Sequence, residues 1–451
     1  MQAVPPVEHD ASRCRKVSRR PTTARRAIAQ AALILMVVGV AAAQGTEYNA
    51  GPETYASFLP KLQPGDILSL SSGDYGRGLR LRGLHGTSSA PIVIQGPRTG
   101  PAAVLLARPD ANTVSLAETS YVTVRNFRID GAHLPVDAIK AEGSSRPVHH
   151  ITLEKLRIIN YDNDQGAIAI STKCPAWGWI IRDNDIIGAG TGLYLGDSDG
   201  TAPFIDGLIE NNLIVDTIGY NIEIKHQIER PDLPGTPTAP SVTILRHNVF
   251  AKSQNASVGR AARPNVLVGH FPPQGNGERD KYQIVGNIFF DNRTEALFQG
   301  EGNVTLARNL LFNPNGDAVT MQPHHDRPRH VSVVENLVAA AGRGIAIRGG
   351  DPTMEQEVAR NEIYAGEPLR GGLQRDNKVG VFAQARTALA GWLVRSGARD
   401  DAIDRLRLES MTHRACELTA DGMPGAHVPS STTRGRHPLC NFLRTLSSVA
   451  R

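Results

Sequence analysis

Aromatic residues make up only 5% of this 451-residue sequence, and cysteines number four. So little cysteine excludes a scaffold held together mainly by disulfides. The one strongly apolar run, "AALILMVVGV", is too short for a comfortable membrane span. Helical periodicity is missing through most of the chain, which argues against a bundle. What the sequence has instead is turn chemistry, 44 glycines and 29 prolines, and 40% hydrophobic content, ordinary for a folded protein.

A basic excess is also missing from the body of the chain. Residues 1–44 carry seven Lys/Arg against two Asp/Glu, which leaves 42 of each sign beyond them. From Glu367 onward there are 13 basic and 8 acidic residues, so residues 45–366 hold 29 against 34. The high isoelectric point belongs to the two ends, and no nucleic-acid partner is expected. The first 44 residues read as an export signal: a basic stretch, the apolar run, then the small-residue site "AAAQG". A secreted or periplasmic monomer with no stable membrane insertion is expected after its removal. Cys14 leaves with the signal; Cys416 and Cys440 could then pair, and Cys174 reads as a buried small hydrophobe.

A short phrase recurs along the chain: "RNFRIDG", "EKLRIIN", "DNDIIGA", "NNLIVDT", "HNVFAKS", "GNIFFDN", "RNLLFNP", "ENLVAAA" and "RNEIYAG". Spacings between the later asparagines are 28, 36, 39, 22, 27 and 25 residues, a repeat with variable loops. Most units add a second alternating phrase, such as "TGLYLGD", "YNIEIKH" or "PNVLVGH". Two or three short strands per unit, without helical interludes, predict an all-β, single-stranded right-handed parallel β-helix over residues 45–366. Asn126, Asn184, Asn212, Asn248, Asn287, Asn309, Asn336 and Asn361 should stack as a ladder at one turn. "PETYASFLPKL" predicts an N-terminal capping helix with Tyr55, Phe58, Leu59 and Leu62 on one face. Residues 367–451 should form a C-terminal helical or irregular extension: a strand and helix covering the far end, then a loose tail after Met423.

Aligning second phrases through Leu193/Leu195, Ile222/Ile224 and Val266/Val268 creates three outward columns. Tyr194, Glu223 and Leu267 share one; Gly196, Lys225 and Gly269 the next; Asp197, His226 and His270 the third. Lys225 then lies between glycines in a shallow pocket that a sugar could approach. Asp197 would orient His226 and raise its pKa, and Glu223 would hold Lys225 or a cation. A second cluster, "MQPHHDRPRH", brings His324, His325, Asp326 and Arg327 to the same edge on later coils. "GDSDG" offers Asp197 and Asp199 as half of a calcium loop.

The segment "LQPGDILSLSSGDYGRGLRLRGLHGTSSAPIVIQGP", with the Asn-marked coils after it, resembles the β-helix polysaccharide lyases of the chondroitinase B and alginate lyase type over roughly residues 45–365. In that family two glutamates one residue apart bind calcium, a lysine shortly after is the base, and an arginine on the next coil assists. The resemblance places Glu223 at the second glutamate, Asn221 at the first, and Lys225 near the lysine. The arginine's slot falls on Gly269, beside His270. "MQPHHDRP" also resembles the "DPHD" signature of mannuronan epimerases, with Gln322 at the acidic position and one extra His.

Together these features predict β-elimination on a uronic-acid-containing polysaccharide. Lys173, Arg260, Arg263 and His324 would bind substrate; a Ca²⁺ ion at Glu223, Asp197 and Asp199 would help neutralise the uronate carboxylate. Lys225 would be the base if its surroundings lower its pKa, otherwise His226, and Tyr194 or His270 would protonate the leaving oxygen. No organic cofactor is expected. Uronan C-5 epimerisation, glycoside hydrolysis and non-catalytic glycan binding are the alternatives on the same scaffold.

Overall fold

A computed structural model describes residues 45–143, 146–396, 403, 405–420 and 437–449. The expected export signal and most of the expected loose tail lie outside these residues.

Short strands wind into a parallel β-helix with three sheets. The first runs from Glu47–Ala50 through Ile67–Leu70 and onward to Leu373–Arg375, every pair parallel. The second begins at Gly73–Tyr75 and ends at Lys378–Gly380. The third begins at Leu79–Arg82, passes through the last residues of Leu337–Ile347 and ends in those of Glu362–Arg370, two strands that turn the corner from the second sheet and join the two. Inward residues such as Ile129, Ile158, Ile186, Ile214, Phe250 and Phe289 form one continuous core along the axis. A rung spacing of about 4.8 Å lets each apolar side chain stack on its counterpart in the next coil.

The asparagine ladder runs from Asn184 through Asn212, Asn248, Asn287, Asn309, Asn336 and Asn361 to Asn377. Each side-chain carbonyl accepts from the backbone N–H and the amide of the asparagine before it, and each amide also donates to a main-chain carbonyl. Asn126 does not join. It aligns with Lys155 and Asp183 at the corner residue, where φ is positive, and Phe127 occupies the ladder position. The corner demands a left-handed residue, which asparagine tolerates, so the same residue type serves two neighbouring columns.

The N-terminal cap is not an α-helix. Residues Tyr55–Ser57 and Leu59–Lys61 form two 3-10 turns, from which Tyr55, Leu59 and Leu62 are buried in the core. Three helices follow the solenoid: α1 (Ala385–Ser396), α2 (Arg405–Ala420) and α3 (Pro438–Val449). They do not close its far end as expected. Instead Leu389, Trp392, Leu408, Met411, Leu439, Leu443 and Leu446 lie over outward residues of the second sheet, among them Ile187, Val215, Ala251, Phe290 and Ala339. The part of the tail from 437 to 449 is thus an ordered helix. Cys416 is bonded to Cys440, joining α2 to α3, and buried His437 meets Asp216 at 2.7 Å. Cys174 is buried, which pushes its thiol up to about 12. No described helix is long and apolar enough to cross a membrane.

Candidate functional site

Among the described residues the three helices pack on the second sheet, while Lys173, Tyr194, Lys225 and Leu267 on the outward side of the third remain part-exposed. The third sheet's register pairs Leu193 with Ile222 and Val266, Tyr194 with Glu223 and Leu267, and Leu195 with Ile224 and Val268. The pairing continues through Gln299 to Thr320. Because side chains alternate, Ser171, Tyr194, Glu223, Leu267, Gln299 and Thr320 form one outward column. One step past the paired residues, Lys173, Gly196, Lys225, Gly269, Glu301 and Gln322 form the next.

Lys173, Tyr194, Glu223 and Lys225 converge. The Lys173 ammonium lies 3.5 Å from the centroid of the Tyr194 ring, and that of Lys225 lies 5.4 Å from it. Both cations therefore face an aromatic ring whose hydroxyl reaches Ser198 at 2.6 Å. Lys225 donates to Glu223 at 2.8 Å. Burial works against the lysine's charge, but the carboxylate more than offsets it and holds the pKa above the usual lysine value. Lys225 is therefore a fixed cation at neutral pH rather than a free base. The flanking glycines give it room: a Cβ on Gly196 would stand 3.1 Å from the Lys225 Cβ.

Next to this group the chain gathers imidazoles. His226 stacks on His325 with ring centroids 3.8 Å apart, and His270 lies 5.5 Å from His226 and 5.4 Å from His325. Burial, then the neighbouring His325, His270 and Lys225, lowers the His226 pKa to about 4. Asp197 does not orient this ring as expected; its carboxylate accepts from the Ser198 N–H, and the His226 pKa moves down rather than up.

The carboxylates proposed for calcium are not brought together. Glu223 is committed to Lys225, Asp197 to Ser198, and Asp199 to the N–H and hydroxyl of Thr201. Calcium needs six to eight oxygens around one point, and these residues offer three carboxylates with separate partners. Of the other expected residues, Arg263 lies 5.8 Å over the Tyr220 ring and donates to the Arg260 and Ala262 carbonyls. Arg260 is exposed in the 3-10 turn Gly259–Ala261. His324 meets Gln322 at 3.3 Å. Asp326 accepts from Arg329, and Arg327 lies 3.9 Å from Asp351.

Glu301 and Gln299 are absent from the sequence-based site. Both could have been found by carrying the same alignment one coil further, since "FQGE" continues the "VLVG" register. A separate open concavity of 1470 Å³ over the later coils is lined by Arg279, Lys281, Arg343, Arg348, Arg370 and Arg375. Arg343 and Arg375 are already paired, with Asp317 and Glu357. Arg348 donates to Gln322 at 3.2 Å and so links the concavity to the wall.

No protein-family model matches the chain, and neither does any curated protein sequence. Solved structures do match. An alginate lyase from Paenibacillus sp. str. FPU-7 is 14% identical over 74% of this chain and 99% of its own, with a TM-score of 0.35. A mannuronan C-5 epimerase module from Azotobacter vinelandii is 15% identical over 70% of this chain and 90% of its own, at 0.42. A GH136 lacto-N-biosidase from Eubacterium ramulus is 14% identical over 71% of this chain and 63% of its own, at 0.46.

Proposed function

We propose that the protein is an exported carbohydrate-active enzyme that cleaves uronic-acid-containing polysaccharides by β-elimination. The supporting observation is the convergence of Lys173, Tyr194 and Lys225, all part-exposed, from three successive coils on one face. Two part-exposed ammonium groups beside a part-exposed tyrosine suit a uronate: the cations meet the carboxylate and the ring borders the sugar.

In this reading Lys173 and Lys225 neutralise the uronate carboxylate, which makes the neighbouring carbon 5 proton removable. His226, rather than Lys225, takes that proton. The electron pair forms the carbon 4 to carbon 5 double bond as the bond from carbon 4 to the glycosidic oxygen breaks. Tyr194 returns a proton to that oxygen. The products are a chain with a new reducing end and one ending in an unsaturated uronate. The Cys416 to Cys440 bond fits an oxidising compartment, in keeping with export.

The test is incubation of purified protein with alginate, pectate and chondroitin polymers while ultraviolet absorbance is followed. Absorbance from the unsaturated product is expected on at least one polymer, and Lys225→Ala and Tyr194→Phe should each reduce it by about 10²-fold or more. No absorbance on any of them sinks elimination. Deuterium uptake at carbon 5 without chain shortening would assign epimerisation to the same wall, reducing ends without absorbance would assign hydrolysis, and binding without product would leave a glycan-binding module.

A further inference from the structure

Beyond the lysines, the same wall carries a second donor set that the reaction above does not use. We propose that His270, Glu301 and His325 form a binding site for a divalent transition-metal cation of the zinc class. Their ligand atoms lie within 4.8 Å of one another, and among the described residues this is the group so gathered. Each comes from a different consecutive coil. His270 follows the strand Val266–Val268, Glu301 follows Phe298–Gly300, and His325 stands in the turn after Val319–Met321. The parallel register sets Glu301 level with Gly269, the residue before His270, and the turn carries His325 back over them.

Three features distinguish this group from a chance cluster of polar residues. First, Glu301 is only 2% exposed, and its side-chain partners are the backbone N–H and Nδ1 of His325, at 3.2 and 3.4 Å. Among the described residues no lysine or arginine pairs with it, although a buried carboxylate needs a counter-charge. Second, His270 Nδ1 lies 2.8 Å from the Phe271 carbonyl. A carbonyl can only accept, so Nδ1 carries the proton and Nε2 presents its lone pair, the orientation that a metal-ligating histidine takes from its outer partner. Third, the rungs close tightly enough to gather the rings. A Cβ on Gly269 would stand 2.3 Å from the His226 backbone nitrogen, so only glycine fits before His270. His226 in turn stacks on His325 and fixes the plane of that ring.

Two imidazole nitrogens and one carboxylate oxygen suit zinc and its neighbours, not calcium or magnesium, which favour all-oxygen shells. Three protein ligands leave a coordination position open, as in zinc sites that bind substrate or water. Glu301 shares the column of Lys225, with Gly269 between them, so a bound cation would face the same surface as the lysines.

The site is tested without reference to any glycan. Tag-free protein is stripped with a chelator, dialysed and titrated with Zn²⁺ by calorimetry, and Co²⁺ loading is followed by its visible spectrum. One equivalent per chain is expected, with the intense absorption of a low-coordinate cobalt site. His270→Ala, Glu301→Gln and His325→Ala should each weaken binding by at least about tenfold, whereas Lys173→Ala should not. Glu301 is buried, so its variant is checked for folding; His325, whose side chain is 47% exposed, provides the change that leaves the core alone. Failure of the native protein to take up one equivalent, or undiminished affinity in a folded His325→Ala variant, overturns the proposal. Stoichiometric zinc uptake without unsaturated product would leave this site standing while sinking β-elimination.

Discussion

The second and third sheets wind around one core in one register, yet their outward faces have opposite fates. Outward residues of the second sheet, such as Ile187, Val215, Ala251 and Phe290, are apolar and lie beneath three helices. Those of the third sheet include Tyr194, Glu223, Lys225, Gln299 and Glu301, and among the described residues no helix packs on them. A parallel sheet buried on both faces reads as a continuous apolar run, and one with a free face alternates. The coil therefore supplies position, while composition of the outward column decides between structure and chemistry.

That contrast can be broken from the structural side first. Leu443 is fully buried between α3 and the second sheet, and Leu443→Asp puts an unpaired carboxylate there. A loss of about 3 kcal/mol or more is expected, seen as a drop in the denaturant midpoint. An unchanged midpoint would mean that the helices are not part of the folded unit. Next in size, Asn248→Ala strips one ladder rung of its bonds to Asn212, Ile209 and Asn287 and should cost roughly 2 kcal/mol in the same measurement.

Lys252 gives a pH-dependent effect. It is fully buried and donates to the Arg263 carbonyl at 2.7 Å; burial lowers its pKa to about 7, with Glu295 opposing the shift. The unfolded value is the higher one, 10.5. Between the two the unfolded chain holds a proton that the native chain has lost, so this residue makes stability rise with pH across that window. Its contribution approaches at most about 1.4 kcal/mol per pH unit. Subtracting the Lys252→Met profile from that of the native protein should leave a rise from pH 7 to pH 10, and a flat difference would refute the assignment. The smallest stability effect belongs to the wall: Lys173→Ala should move the unfolding midpoint by less than about 0.5 kcal/mol while reducing turnover.

Much of this architecture was legible in the repeats. The coil pattern, the pairing of Leu193, Ile222 and Val266, and the ladder from Asn184 to Asn361 all follow from inward apolar residues recurring at matched positions. The covered face is legible too, in "NNLIVDT" and "GNIFFDN", whose strands are apolar on both sides rather than strictly alternating. Alternation in those phrases leaves only the end of the stack for a covering helix, whereas apolar residues on both sides make room for three along its flank. Asn126 was misplaced by one residue because the corner and the ladder both accept asparagine.

The site was legible only where it follows coil register. Tyr194, Glu223 and Lys225 satisfy that condition, as does Glu301 once the alignment is extended. His325 does not: a turn brings it back onto His226, and turn geometry has no counterpart in strand alternation. The electrostatics depend on such contacts as well. The pKa of Lys225 hinges on whether its ammonium meets Glu223, a contact of 2.8 Å that an i, i+2 spacing permits but does not require.

The most direct test of the wall's role is a crystal structure of the protein soaked with a uronate oligosaccharide. The account predicts a sugar carboxylate between Lys173 and Lys225, with its ring over Tyr194. An oligosaccharide seated instead among Arg279, Arg348 and Arg370, with the lysine wall empty, would contradict it.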